Sequence, residues 1–350
     1  MVQNVISNDL YDDIKDIAEE YLYNIRNKTF LILGGGGFIA QYLVWTLLVG
    51  NDLFQNNNVV VLLVRDAGKV AEKYGDLINR NDVRLMVQDI CQPISENNQR
   101  FDYIVHAASA ADAKHFDSNP IEVFDSNVIG IENVVQLLRQ HPSEAVVYLS
   151  SFTVYGSNTE SVREVNEDFC GVERWDTNRA CYSYGKRSAE FICMAAVHKY
   201  GVPIRIVRPG FVYGASGKDD SRVYAEVIRN AANDKEIMLR SAGYIYRSMI
   251  YVTDLIRGIF CVLFKGTNGE AYNIANEHIS IREFAEIAVT VADSANVRLR
   301  FENLADEKTK APESIMGRMS CKKLSECGWK PKISVEDGIG TALSIERKQI

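Results

Sequence analysis

The stretch LILGGGGFIAQYL spans Leu31 to Leu43. Its first residues close the run TFLIL (29–33), which reads as a strand, and FIAQYLVWTLLV (38–49) reads as a helix ending near Gly50–Asn51. Between them stand Gly34, Gly35, Gly36 and Gly37. Glycines let the backbone turn tightly and approach a pyrophosphate, while a helix N-terminus offers free N–H groups and the positive end of its dipole. Ala40 is small enough to keep the helix close to the strand. A glycine pattern alone says little; strand, glycine turn and helix in that order supply the context the chemistry needs. Gly34, Gly37, Phe38 and Ile39 are thus the candidate cradle for a dinucleotide.

Outward from the loop the same alternation continues. NVVVLLVRD (58–66) is apolar throughout, as a parallel strand covered on both faces requires. Further strands are expected at VRLMVQD (83–89), DYIVHAA (102–108), AVVYLS (145–150) and IRIVRP (204–209), with helical patterns between them at 121–140 and 186–200. This predicts an α/β fold, a Rossmann-type doubly wound parallel sheet. After Pro209 the pattern changes to helices near 221–233, 253–265 and 280–293 with short strands, a smaller C-terminal substrate-binding lobe. The expected division is 1–28 as an N-terminal helical extension, 29–208 as the dinucleotide-binding domain and 209–350 mainly as the second lobe. The segment near 245–265 is open to a return to the main sheet. In the extension, Leu10, Ile14, Ile17, Tyr21 and Ile25 recur at helical spacing opposite an acidic face.

Bulk properties narrow the class. The chain has 350 residues, 47% hydrophobic and 24% charged, enough for a sizeable core. A net charge of −7 argues against nucleic acid as the main partner. Seven cysteines with no C-x-x-C pair indicate neither a disulfide framework nor a metal site, and suit a reducing cytoplasm. The acidic start is not a signal peptide, and the longest apolar runs fall far short of the ~20 residues that span a bilayer. No membrane partner is expected.

At 182–186 the sequence places Tyr182 and Lys186 four apart, on one face of a helix. A phenol, with an ordinary pKa of about 10, is a poor base near neutrality. A nearby ammonium, with a positive nicotinamide ring, favours the phenolate. Tyr182 can then exchange a proton with a sugar or alcohol hydroxyl during hydride transfer. Ser151, at the end of the strand before SSFTVYG (150–156), is placed to hydrogen-bond the same oxygen. The second strand ends in Arg65 and Asp66; an arginine suits the 2′-phosphate of NADP, an acid the free hydroxyl of NAD. NADP is favoured and NAD stays open. His106, at a strand end, reads as structural or as support for the cofactor ribose.

Together these residues resemble the extended short-chain dehydrogenase/reductase family, which acts on nucleotide-linked sugars. The resemblance runs from about Thr29 onward. It rests on GGGGFIA (34–40), VHAAS (105–109), Asn127 in SNVIG, the Ser151–Tyr182–Lys186 triad, RPGFVYG (208–214) and YRSMIYVTD (246–254). It implies cofactor contacts from Asp89, Ile90, Ala107, Ala108, Ser109, Asn127 and Pro209 besides Tyr182 and Lys186. It also puts Arg222 and Arg247 near the diphosphate or nucleotide of the substrate. RACYSYGKR (179–187), NPIEVFDSNVIG (119–130), DSRVYAEVI (220–228) and RSMIYVTDL (247–255) resemble the UDP-glucuronate decarboxylase group in particular.

The departures matter as much. Decarboxylases and 4,6-dehydratases of this family place acids ahead of the tyrosine of VYG, where this chain has Phe152 and Thr153. Neither side chain is a general acid or base near neutrality. Glu160, Glu164 and Glu167 follow in the next loop and are the carboxylates that could fold back. Phe211 stands where many relatives have a substrate-contacting asparagine. What remains is carbonyl–carbinol chemistry. The expected enzyme is a reductase delivering hydride to C4 of a nucleoside-diphosphate 4-keto-6-deoxy sugar in surface-polysaccharide synthesis, with Tyr182 as proton donor. A 4-epimerase with tightly bound NAD is the alternative, also suggested by the Ser151–x–Thr153 spacing; a decarboxylase- or dehydratase-like enzyme and a non-catalytic nucleotide-sugar binder follow. By analogy the family implies a homodimer through helices near 121–140 and 182–200.

Overall fold

The structure is a computed structural model describing residues 2–4, 6–94, 100–109, 111, 113–156, 163–218, 220–302 and 317–348. Helix α1 (Asn8–Tyr21) precedes β1 (Thr29–Leu33), α2 (Phe38–Phe54), β2 (Val59–Val64), α3 (Ala67–Tyr74), β3 (Val83–Val87) and β4 (Tyr103–His106). Then come α4 (Ala113–Ser118), α5 (Pro120–Gln140), β5 (Ala145–Leu149), a 3-10 turn (Phe152–Tyr155), β6 (Glu164–Val165), α6 (Ala180–Tyr200) and β7 (Ile204–Pro209). The remainder runs β8 (Phe211–Tyr213), α7 (Val223–Ala232), β9 (Ile237–Leu239), β10 (Tyr246–Tyr251), α8 (Val252–Lys265), β11 (Ala271–Ile274), β12 (Glu277–Ser280), α9 (Ile281–Ala292), β13 (Leu299–Phe301), β14 (Arg318–Met319), α10 (Lys322–Glu326) and α11 (Val335–Lys348).

Seven strands form one parallel sheet in the order β11-β7-β5-β4-β1-β2-β3. The order reverses between β1 and β4, and in such sheets the crevice beyond the strand ends at that point takes the ligand. Every residue of β4 and β5 is buried, as helices on both faces require. Apolar residues on opposite faces of the strands enter separate core clusters: Phe30 and Ile32 one, Leu31 and Leu33 the other. This is the doubly wound α/β fold expected from the alternation of strands and helices.

Two details differ from the reading of the sequence. The segment near 245–265 does not rejoin the main sheet as a strand: β10 pairs with β8 and β12 in a separate three-stranded sheet. The strand that returns is β11, whose Ala271–Ile274 runs parallel to Ile206–Pro209 of β7. Helix α1 ends at Tyr21, so Ile25 lies beyond it. Ser7 caps the start of α1 by accepting from the Leu10 amide, and Leu10, Ile14 and Ile17 are buried against the core. Arg257 of α8, itself buried, holds α1 in place through Asp16 and Glu20. Among the described residues no helix is long and apolar enough to cross a membrane.

Candidate active site

The glycine turn sits at the switch point. Gly34 has φ +81°, a conformation glycine adopts without strain, and a Cβ there would lie 2.7 Å from the Ala108 Cα. Gly34 and Gly35 both donate to the Leu63 carbonyl, and Gly37 caps α2 without a side chain. The loop is therefore pressed onto the ends of β2 and β4, and the first N–H groups of α2, including those of Phe38 and Ile39, have no acceptor within the helix. From α3, Tyr74 donates to the Gly35 carbonyl (2.6 Å) and Lys73 to that of Gly36 (3.1 Å). A cradle that only glycine fits, opening on a helix N-terminus, suits a dinucleotide pyrophosphate.

The residues around it divide clearly. Asp66 caps α3, accepting from the amides of Gly68 (2.9 Å) and Lys69 (3.1 Å). Arg65 is exposed beside it, with no ion pair to any described carboxylate. Asp89 accepts from the Cys91 amide, and the Ile90 carbonyl accepts from Asn133. Ala107, Ala108 and Ser109 are half-buried just past β4. Asn127, fully buried on α5, donates to Ser109 Oγ (3.1 Å) and accepts from Tyr148 (3.1 Å). Pro209 is buried at the end of β7 against Ile274.

Ser151, Tyr182 and Lys186 come together between the end of β5 and the start of α6. The Ser151 hydroxyl caps the 3-10 turn, accepting from Thr153 N (3.2 Å), and lies beside the Tyr182 phenol, whose ionisation it favours. Lys186 lies 5.7 Å from the Tyr182 ring, 4.8 Å from that of Tyr148, and donates to the Leu149 carbonyl. The expected phenolate depends on a positive nicotinamide as well as on the lysine, and in the protein alone burial opposes it. Burial pushes the Tyr182 phenol up to about 12, against the opposing pull of Ser151 and then Arg222. Burial also brings Lys186 down to about 7, against the opposing pull of Glu190. In the protein alone, burial thus favours the protonated phenol and the neutral amine.

The candidate substrate residues form an aromatic wall with two cations. The rings of Phe152 and Phe211 lie 4.3 Å apart, and Tyr224 stands edge-on to Phe211 at 6.2 Å. The Arg247 guanidinium lies 5.0 Å over Phe211, and Arg222 lies 5.0 Å over Tyr224. Arg222 is paired with Asp220 through Nε (2.8 Å) and Nη2. Arg247 has no carboxylate partner among the described residues, and burial lowers it to about 10. A desolvated, unneutralised guanidinium is suited to an anionic ligand. The Thr153 hydroxyl is buried without a partner among the described residues.

Of the loop carboxylates, Glu167 is engaged elsewhere and Glu164 lies in β6. Glu167 accepts from the Asn273 amide (2.8 Å) on β11, and Glu164 is exposed in β6 beside Arg318 of β14. Glu160 lies outside the described residues. His106 is buried, neither ring nitrogen has a partner among the described residues, and burial followed by Lys186 lowers it to about 3. Burial thus favours its neutral form. No metal-binding cluster occurs among the described residues.

Four participants escaped the sequence reading. Phe116 of α4 stacks on Tyr182 with centroids 5.2 Å apart. Tyr148 links Lys186 to Asn127. Asp220 and Tyr224 flank Arg222 in sequence, and an acid two residues before an arginine was the available signal for that pair.

Comparison with known proteins agrees with this architecture. The chain is 26% identical over 344 residues to UDP-glucuronic acid decarboxylase 1 of Danio rerio, covering 97% of this chain and 76% of that one. The fold is similar to that of UDP-glucose 4-epimerase from Thermotoga maritima with UDP-glucose (TM-score 0.75, 20% identity, 92% and 99% covered). It is also similar to RMD from Pseudomonas aeruginosa complexed with NADPH (TM-score 0.71, 20% identity, 93% and 100% covered). The family model for the NAD dependent epimerase/dehydratase family matches residues 30–275. By that match, over most of its length, the chain belongs to the NAD dependent epimerase/dehydratase family.

Proposed function

We propose that this enzyme reduces C4 of a nucleoside-diphosphate 4-keto sugar, with NADPH as the favoured hydride source. The observation that carries the reading is the convergence of Ser151, Tyr182 and Lys186 between the end of β5 and the start of α6. A bound nicotinamide would supply the hydride to the carbonyl carbon. Tyr182 would give its proton to the carbonyl oxygen as the C–O π electrons move onto it, and Ser151 would orient that oxygen. Lys186 would favour the resulting phenolate, the more so in its charged form. Phe152 and Thr153 offer no acid or base for a second proton transfer, which separates the reading from decarboxylation or dehydration.

The cradle at Gly34, Gly37, Phe38 and Ile39 would hold the pyrophosphate. Asp89, Ile90, Ala107, Ala108, Ser109, Asn127 and Pro209 would line the rest of the dinucleotide site. NADP is supported by Arg65, exposed without a carboxylate, while the Asp66 carboxylate is occupied by α3. Arg247 and Arg222 would take the substrate diphosphate. Residues 29–208 would then serve the cofactor and 209–350 mainly the substrate, with 1–28 as an extension. Pairing of two copies through α5 and α6 is supported by Ile121, Phe191 and Met194, which are 72%, 67% and 45% exposed on those adjoining helices.

A second reading, 4-epimerisation with retained NAD, is favoured by the unpartnered Thr153 hydroxyl two residues from Ser151. One experiment separates them. The purified protein is denatured to release any bound dinucleotide, and NADPH oxidation is followed at 340 nm with nucleoside-diphosphate 4-keto sugars. Consumption dependent on the keto sugar supports the reductase. Retained NAD with no NADPH consumption overturns it in favour of the epimerase.

A further inference from the structure

The 4.3 Å contact between Phe152 and Phe211 joins two elements far apart in sequence. Phe152 follows Ser151 directly and opens the 3-10 turn; Phe211 opens β8. Both rings remain half-buried, so part of the pair is open to a ligand. One end of the wall thus adjoins in chain the serine whose hydroxyl lies beside the Tyr182 phenol. The other end is fixed by the guanidinium 5.0 Å over Phe211. On the nucleotide-sugar reading, with the diphosphate at the arginines and the reacting C4 at Tyr182, the intervening ring would lie along these two phenyl rings. C4 of a pyranose has two neighbours. C3 carries a hydroxyl or amine, and only C5 carries a carbon substituent that can be apolar.

We infer that the Phe152–Phe211 pair acts as one specificity element, selecting a methyl group at C5 of the sugar over a hydroxymethyl or carboxylate. The inference rests on the nucleotide-sugar reading above. Its physics is desolvation. A methyl group against two aromatic rings loses water at a gain, whereas a hydroxyl loses its hydrogen bonds and finds no polar replacement on a phenyl ring. A carboxylate loses more, unless it reaches Arg247. Apolar pockets reject an added hydroxyl by only about 10²-fold, and that is the scale expected here. Neither ring accomplishes this alone: truncating either one opens the space between them to water.

The test is calorimetric titration of the purified protein with matched pairs of ligands. These are the thymidine, uridine and guanosine diphosphate forms of glucose and of 6-deoxyglucose, together with UDP-glucuronate. Wild type is expected to bind the 6-deoxy member of whichever nucleotide series it accepts at least ~10-fold more tightly. In Phe152→Ala that ratio is expected to fall towards one, with the hydroxymethyl sugar gaining relative affinity. Phe152→Leu, which keeps an apolar filler and protects the fold, is expected to retain most of the preference. Phe211→Asn is expected to act like Phe152→Ala. Equal binding of both sugars by wild type, tighter binding of glucuronate, or a ratio untouched by either truncation overturns the inference and leaves the redox reading standing. Failure to bind any nucleotide sugar overturns both.

Discussion

Lys186 and Leu149 are joined by a 2.6 Å hydrogen bond from the ammonium to the backbone carbonyl. The contact ties α6 to the last residue of β5, two residues before Ser151. It thereby helps to set the separation between Ser151 and Tyr182, the two side chains proposed to act on one substrate oxygen. The lysine is 2% exposed and has no acid in direct contact among the described residues. Glu190, one turn on, has both oxygens taken by Arg208 at 2.9 and 2.6 Å.

The first prediction concerns that charge. With burial bringing Lys186 down to about 7, the cofactor-free protein carries the ammonium below neutrality and loses it above. Glu190 favours the cation, so Glu190→Gln is expected to move the titration midpoint further down. Nitrogen-detected NMR of the lysine side chain reads it directly. An unmoved or raised midpoint would show that Arg208 has already cancelled the Glu190 charge at that distance.

Tyr182→Phe removes the proposed proton donor and leaves the ring. The stack on Phe116 has nothing to do with the hydroxyl, so the fold and ligand affinity are expected to persist. Turnover is expected to fall by about 10²–10⁴-fold, the usual contribution of a positioned acid. Steady-state rates beside calorimetric binding check this; activity surviving the change would move proton donation to another group.

Much of this was legible before any coordinates. Glycines after a strand, and a tyrosine–lysine pair at helical spacing, are local patterns, and local patterns survive into the fold because period and turn chemistry set them. The parts that were not legible depend on distant pairing. Nothing in EAYNIA (270–275) says that it, rather than SMIYV (248–252), adds the seventh strand beside β7. Nothing in the sequence around Phe116 brings it to Tyr182. The pull of burial on Tyr182 and Lys186 is a property of packing, which spacing does not report.

Gly34→Ala tests the cradle. Its Cβ would meet the Ala108 Cα and N at 2.7 and 2.8 Å, both backbone atoms, in a residue at φ +81°. The strand ends must part to admit it. A loss of about 1–3 kcal/mol in stability is expected from the backbone conformation and displacement. Dinucleotide binding is expected to weaken by at least ~10-fold, because the cradle depends on close backbone approach. Thermal melts with and without added NADPH check both effects: the ligand-induced rise in Tm should shrink in the variant.

Arg65→Ser tests cofactor choice. If the guanidinium holds the 2′-phosphate, losing charge-assisted hydrogen bonds worth about 1.5–3 kcal/mol raises the Kd for NADPH by about 10–100-fold. The Kd for NADH, which lacks that phosphate, is expected to change little. Fluorescence titration of both cofactors measures the ratio, and an equal effect on the two would remove Arg65 from phosphate recognition.

Asp13 supplies a test at the N-terminal helix. Its carboxyl sits against Thr253 (3.4 Å), and burial, followed by the like charge of Asp254, raises it from 3.8 to about 6. Arg257, Asp16 and Thr253 also face it, with Arg257 and Thr253 opposing the rise. Between pH 3.8 and 6 the folded chain binds more protons at this group than the unfolded chain, so its contribution to stability declines as pH rises through that window. Above it the buried charge is a liability. Asp13→Asn keeps the shape and a hydrogen-bonding oxygen but never ionises. It is expected to stabilise the fold at pH 7–8 by on the order of 1–3 kcal/mol. Well below pH 3.8, where both states of the wild type are protonated, the gain should vanish. Urea unfolding of both proteins across this pH range checks the sign; a gain that grew towards low pH would mean that Asp13 is stabilised as an anion by Arg257 instead.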